Sequence, residues 1–213
     1  MGQSGTGKST SLRTLDPKTT FIIDADQKGL PFKGWKSLYD NSTNKNYMAS
    51  SSMPQIIDVL KKIDKDQLHI KTVVIDTISL VMTDDVMAKM KRPGFDKWID
   101  LATIVYDLIR NSNNYRENLT IIFMFHEETF LDEDGIRVRR IQTSGKKLRQ
   151  INLASLFSVV LFTDVKKEED KLTYMFETQA NQSEAKTPMG MFETLTIPND
   201  MALVLSTINK FDN

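Results

Sequence analysis

Two rhythms of apolar and polar positions run along the chain. Short apolar runs bounded by turn residues predict buried strands at residues 20–24 (Thr-Phe-Ile-Ile-Asp), 73–76 (Val-Val-Ile-Asp), 119–125 and 157–162. Residues 172–177 alternate, which predicts a fifth strand exposed on one face and suited to a sheet edge. A spacing of three and four predicts helices. Ile56, Ile57, Leu60 and Ile63 share one face of residues 54–65, and residues 79–90 form a Met-rich segment ended by Pro93-Gly94. The clearest helix is 95–109, with Trp98, Leu101, Ala102, Val105, Leu108 and Ile109 on one face. Residues 148–156 read as helical, and Asn199-Asp200 reads as a cap for a last helix over 201–211. Residues 132–135 are a turn, with 135–141 returning as a hairpin, and 27–52 read as irregular with short elements. Strands alternating with helices predict one α/β domain over residues 1–213, with a mostly parallel sheet flanked by helices.

The length of 213 residues supports that single core without staples. No cysteine is present, which excludes disulfides, thiolate metal sites and a Cys nucleophile. With only His69 and His126, a multi-histidine metal site is excluded too. No apolar run approaches the ~18 residues of a membrane helix, and no signal peptide pattern opens the chain, so a cytoplasmic protein without a membrane partner is expected. Lys+Arg and Asp+Glu balance at 28 each, which excludes a uniformly basic coat but not a local basic stripe.

Chemistry enters at the first residues. Gly2-Gln3-Ser4-Gly5-Thr6-Gly7-Lys8-Ser9-Thr10 is a complete phosphate-binding loop pattern. Its glycines let backbone N–H groups wrap a phosphate at the start of an amphipathic segment that runs to Leu15. Lys8 is placed to reach β- and γ-phosphate oxygens, the Ser9 hydroxyl to ligate Mg²⁺, and Thr10 to meet an α-phosphate oxygen. The alternative is a glycine-rich loop before a surface helix. The 73–76 strand ends in Asp76, the acid that holds a water of Mg²⁺ beside such a loop. A strand normally precedes the loop, yet only Met1 stands before Gly2. The first strand is therefore expected to be missing, and Met1 to be an internal methionine of a longer natural protein whose start was miscalled or truncated.

With these motifs in place, the chain resembles small phage RecA-like P-loop ATPases, the phage AAA/RecA-type proteins that accompany recombination and single-strand annealing. Phe21-Ile22-Ile23-Asp24-Ala25-Asp26 resembles the strand after the P-loop helix, whose terminal acid orients the attacking water. That role falls to Asp26, in place of the usual Glu, or else Asp26 merely solubilises a strand end. Ile121 to His126 resembles the strand that presents a γ-phosphate sensor, which makes His126 the sensor or a structural histidine. Thr143-Ser144-Gly145-Lys146-Lys147-Leu148-Arg149 resembles a segment whose basic side chains reach a neighbouring subunit's nucleotide, which implicates Lys146 and Lys147 in catalysis. Glu184 to Phe192 and Ile197 to Asp200 extend the likeness. It implies a three-layer RecA-like fold with a C-terminal antiparallel edge, ATP and Mg²⁺ as ligands, a homo-oligomeric ring or filament, and residence in the cytoplasm of a bacterial host.

Charge is strongly segregated. Glu127, Glu128, Asp132, Glu133 and Asp134 form an acidic block, followed by Arg137, Arg139, Arg140, Lys146, Lys147 and Arg149. Lys89, Lys91 and Arg92 form a second basic cluster. By the resemblance, loops at these places hold single-stranded DNA, so Lys89, Lys91, Arg92, Arg137, Arg139 and Arg140 are DNA-binding candidates. The competing account is a charged hairpin whose acidic and basic strands pair across the turn. Three functions follow for test: a DNA-stimulated ATPase of recombination or annealing, a P-loop kinase for a small acceptor with residues 137–149 as its lid, and a nucleotide-gated interaction protein such as a helicase loader.

Overall fold

The computed structural model describes residues 1–91, 94, 96–145, 148 and 150–212. The candidates Arg92, Lys146 and Lys147, together with Arg149, lie outside the described residues. The chain forms two compact units, one of residues 16–124 and 143–156, the other of residues 1–15, 125–142 and 157–213.

The first unit holds a parallel sheet of four strands: β1 (Thr20–Asp24), β2 (Tyr47–Ala49), β3 (Thr72–Asp76) and β4 (Thr120–Phe123), in the order β2-β1-β3-β4. β1 and β3 are buried along their whole length, which is why they read as continuous apolar runs rather than alternating ones. Their register sets Asp24 beside Asp76, so two acids end neighbouring strands at the same sheet margin. β2 lies inside the segment read as irregular; at three residues it is too short to carry a periodic signal.

Helices complete this unit: the short α1 (Trp35–Leu38), α2 (Met53–Asp66), α3 (Ile78–Ala88) and α4 (Asp96–Asn111). α2 buries Met53, Ile56, Leu60 and Ile63, and Pro54 fits its first turn because the N–H missing there has no intrahelical partner. Burying a side chain such as Leu60 is worth about 1.5–3 kcal/mol. Arg116 satisfies two C-terminal carbonyls of α2, its guanidinium donating to Ile63 (2.7 Å) and Asp64 (2.8 Å), and also donates to the Ile70 carbonyl beyond the helix. α4 buries Leu101, Ala102, Val105, Leu108 and Ile109, the face expected from spacing, but Trp98 is only half-buried. In the segment read as helical over 148–156, a 3-10 turn forms at Leu153–Leu156.

In the second unit the loop of residues 2–8 runs into a single 3-10 segment, Ser9–Thr14. A hairpin follows, β5 (Glu127–Leu131) antiparallel to β6 (Arg137–Ile141). β7 (Phe162–Glu168), β8 (Lys171–Glu177) and β9 (Thr196–Pro198) form an antiparallel sheet in that order, and α5 (Met201–Asp212) closes the chain. β8 was expected at an edge, but it is the middle strand. β9 pairs only with Met175–Glu177, leaving the exposed first half of β8 against β7 alone. Its first four residues are exposed on both faces, so the alternation in sequence is not matched by a one-sided burial there. Similarly, β7 begins only at Phe162, because residues 157–161 contribute a single bridge at Val160. Among the described residues no helix is long and apolar enough to cross a membrane.

Candidate functional site

The loop is built from close backbone approaches. Met1 donates its amine to the Leu161 carbonyl (2.6 Å) and accepts from the Thr163 N–H (2.7 Å), while the Gly2 N–H donates to the Phe125 carbonyl (3.3 Å). Two residues thus make ladder-like bonds on both sides where the loop begins. A Cβ on Gly2 would lie 1.7 Å from Thr163 Oγ1, so only glycine fits there. Thr163 in turn shares a 2.6 Å hydrogen bond with Thr6, whose hydroxyl also reaches the Gln3 carbonyl at 2.7 Å. At Gly7 the backbone is left-handed (φ +94°), and a Cβ would crowd Tyr174 and Asn199.

Lys8 is buried under this loop. Its ammonium donates to the carbonyls of Gly2 (2.6 Å) and Gln3 (2.8 Å) and lies 3.5 Å from His126 Nδ1. Lys8 and His126, named separately from the sequence, thus lie side by side under the loop. Gln3, Ser4 and Gly5 are exposed, and Ser9 and Thr10 are half-buried just beyond. Among the described residues no hydrogen bond occupies the N–H groups of Ser4, Gly5 and Gly7. Open N–H groups, a lysine resting on its own loop and glycines at each close approach fit a polyphosphate.

The strand-end acids of the other unit divide their work. Asp24 is a structural carboxylate: buried, it accepts from the Gly29 N–H (2.8 Å) and the Tyr47 hydroxyl (2.6 Å), which with burial raises the Tyr47 phenol above its ordinary range. Asp26 accepts from the Thr77 hydroxyl (3.0 Å) and pairs with Lys28 at 3.3 Å. The N–H groups of Ala25 and Asp26 both donate to the Asp76 carbonyl, at 2.7 and 3.3 Å. Asp26 is thus tied to residues 76 and 77, while Asp76 itself is buried at the end of β3. Among the described residues no group of three His, Asp or Glu side chains could hold a metal. Mg²⁺ needs no such cluster beside phosphates, since one carboxylate, a hydroxyl, phosphate oxygens and water suffice. Ser9 and Asp76 are residues of the right kind for it.

The basic candidates fare unevenly. Arg140 pairs across the hairpin with Glu128 at 2.9 Å and stacks on Phe130 at 4.1 Å, as the register of Glu128 opposite Arg140 dictates. Arg139 points to the other face, where it pairs with Glu177 and lies 3.7 Å from Glu127 and 5.2 Å from the Phe162 ring. Lys89 pairs with Asp85 at 2.8 Å, one helical turn away. Arg137 and Lys91 are exposed, and no ion pair engages either among the described residues.

Residues that sequence reasoning missed surround the loop. Asn199 is buried, donates from Nδ2 to the Gly7 carbonyl (3.2 Å) and accepts from Arg13 (3.2 Å); the cap of α5 is Asp200, which accepts from the Leu203 N–H (3.0 Å). Burial pushes the Asp200 carboxyl upward, but N–H donors from Leu203 and Ala202 and the Thr14 hydroxyl outweigh it and hold it below the usual range. Glu127 is the other. Burial raises its carboxyl, against Arg139, the Met1 amine and Lys8, which lower it. The Met1 amine is pushed down to about 5, first by burial and then by Lys8, with Glu127 opposing. Asn199 read only as a helix cap and Thr163 carried no local signal, because both meet the loop from more than 150 residues away.

The chain is similar to a KaiC-like protein from the hyperthermophilic archaeon Pyrococcus horikoshii OT3, at 12% identity over 92% of this chain and 81% of that one, with a TM-score of 0.49. It is also similar to the flagellar accessory protein FlaH of Methanocaldococcus jannaschii, at 12% identity over 92% and 80% of the two chains, with a TM-score of 0.44. A search of curated proteins found no match. A family model described as an AAA domain matches residues 1–189, from the phosphate loop to beyond β8, and the chain belongs to that family of nucleotide-binding ATPases.

Proposed function

We propose that the protein binds and hydrolyses ATP at the loop of residues 2–10 and uses that cycle on single-stranded DNA, in recombination or annealing of the phage type. The observation that carries the nucleotide part is the buried Lys8 held under its own loop, 3.5 Å from His126. In this reading the loop N–H groups and Lys8 bind the β- and γ-phosphates, and His126 senses the terminal one. Ser9, and Asp76 through a water, would hold Mg²⁺, which would neutralise charge on the phosphates. Asp26, fixed against Thr77, orients the attacking water, and Lys146 and Lys147 act on a neighbouring subunit's nucleotide within a homo-oligomer.

The DNA part draws its support from Arg137 and Lys91, whose exposed cations are available to phosphates. Arg139, Arg140 and Lys89 are held by carboxylates and contribute less. Those ion pairs also favour a second reading, a nucleotide-gated interaction protein with slow turnover. Phosphate release with and without single-stranded oligonucleotide separates the two. Stimulated release that vanishes in Lys8→Ala and Asp76→Ala supports the ATPase. Unchanged release in either variant removes this site from the chemistry, and release that is indifferent to DNA favours the second reading.

A further inference from the structure

Glu127 follows the proposed sensor directly but takes no part in the proposed phosphate chemistry. Its side chain is only 6% exposed, and its Oε2 has no hydrogen-bond partner. Such an oxygen is costly to keep ionised, because water no longer solvates it and no donor replaces the water. The nearest counter-charge is Arg139 Nη1 at 3.7 Å, and that guanidinium is shared with Glu177. Glu177 is already satisfied on its other oxygen by the Ser183 hydroxyl (2.6 Å) and the Asn181 N–H (3.0 Å). Two buried carboxylates therefore divide one guanidinium, and Glu127 has the poorer share. The remaining cations facing it are Lys8 from the loop and, only in acid, the Met1 amine.

We propose that Glu127 is a positioning residue of the nucleotide site, whose carboxylate competes with the nucleotide's phosphates for the positive charge of Lys8 and thereby sets nucleotide affinity. The proposal rests on the nucleotide reading of the loop. Without nucleotide, the Lys8 ammonium donates to the Gly2 and Gln3 carbonyls and its charge offsets that of Glu127. When phosphates engage Lys8, that offset is spent on them, and Glu127 is left facing added negative charge with half of Arg139. A proton taken up by the carboxylate relieves this, so binding draws a proton onto Glu127. Removing the charge removes both the competition and the proton. Because burial raises the carboxyl, the wild-type penalty is full at alkaline pH and fades on acidification as the group protonates.

The test is calorimetric titration of the full chain with ATPγS, whose thiophosphate stays ionised over the range used. Wild type, Glu127→Gln and Glu127→Asp are compared at pH 8 and pH 6, in buffers of differing ionisation enthalpy. Glu127→Gln is expected to bind about tenfold tighter at pH 8, the order of one partly screened charge pair. It should show a smaller difference from wild type at pH 6 and lack the wild-type excess of proton uptake. Glu127→Asp, which keeps the charge, is expected to stay near wild type. Should Glu127→Gln fail to fold, Glu127→Ala takes its place. Equal affinity of the neutral variant and wild type at both pH values, or weaker binding by the neutral variant, overturns the proposal while leaving the nucleotide site standing. Absence of binding by folded wild type overturns the nucleotide reading, and this proposal with it.

Discussion

Asn199→Ala tests whether the loop is braced from the far end of the chain. Asn199 is 2% exposed, and its amide makes two hydrogen bonds, from Arg13 and to the Gly7 carbonyl, each 3.2 Å long. The first involves a charged donor and is worth about 1.5 kcal/mol at that length, the second about 1 kcal/mol. Truncation of this buried side chain also leaves a small cavity, so the total loss is about 3 kcal/mol. For a chain of this size that lowers Tm by roughly 6–12 °C. The Gly7 peptide, which keeps the Ser11 N–H (3.0 Å) but loses the Asn199 amide, should also bind phosphate less well. A fivefold weaker Kd removes about 1 kcal/mol of the stabilisation that saturating nucleotide provides. Urea unfolding with and without ATPγS measures both quantities. Asn199→Asp sharpens the result. It keeps an acceptor for Arg13 but sets a carboxylate against the Gly7 carbonyl, so it should lose nucleotide affinity at least as severely. A variant within 0.5 kcal/mol of wild type, with unchanged nucleotide stabilisation, would refute the bracing role (the threshold is about the scatter of surface substitutions).

Arg139→Gln leaves Glu127 and Glu177 buried without their shared cation and should destabilise the fold by about 3–5 kcal/mol in urea, with part of the loss recovered on acidification as the carboxylates protonate. Burial raises the carboxyls of Glu127 and Glu184 above their unfolded values, so each favours folding fully below the unfolded pKa and loses that contribution as pH rises through the folded one. Stability should accordingly fall from weakly acidic toward neutral pH in wild type, and Glu127→Gln/Glu184→Gln should flatten that part of the profile in thermal unfolding.

Much of the parallel-sheet unit was legible in residue order. β1 and β3 are short buried apolar runs, and α2 and α4 carry strong three-four spacing, so local pattern and final burial coincide. The phosphate loop was legible because its chemistry is compressed into nine consecutive residues. The acidic-then-basic block was legible as a hairpin but ambiguous in purpose. Opposite charges in that order serve equally to pair across a turn or to face a polyanion, and only the register resolved Glu128 against Arg140.

By itself, the sequence determined an α/β chain with a phosphate loop at its start, a strand ending in Asp76 and no cysteine chemistry. These properties live in contiguous residues, where periodicity and spacing are visible. Tertiary structure alone decided that Asn199 holds Gly7, that Thr163 leaves room only for glycine at position 2, that Asp24 is structural while Asp26 meets Thr77, and that Glu127 shares Arg139 with Glu177. Each of these joins residues far apart in the chain. Hydrogen-bond geometry and the division of one buried cation between two carboxylates depend on distances that no local pattern of side chains encodes.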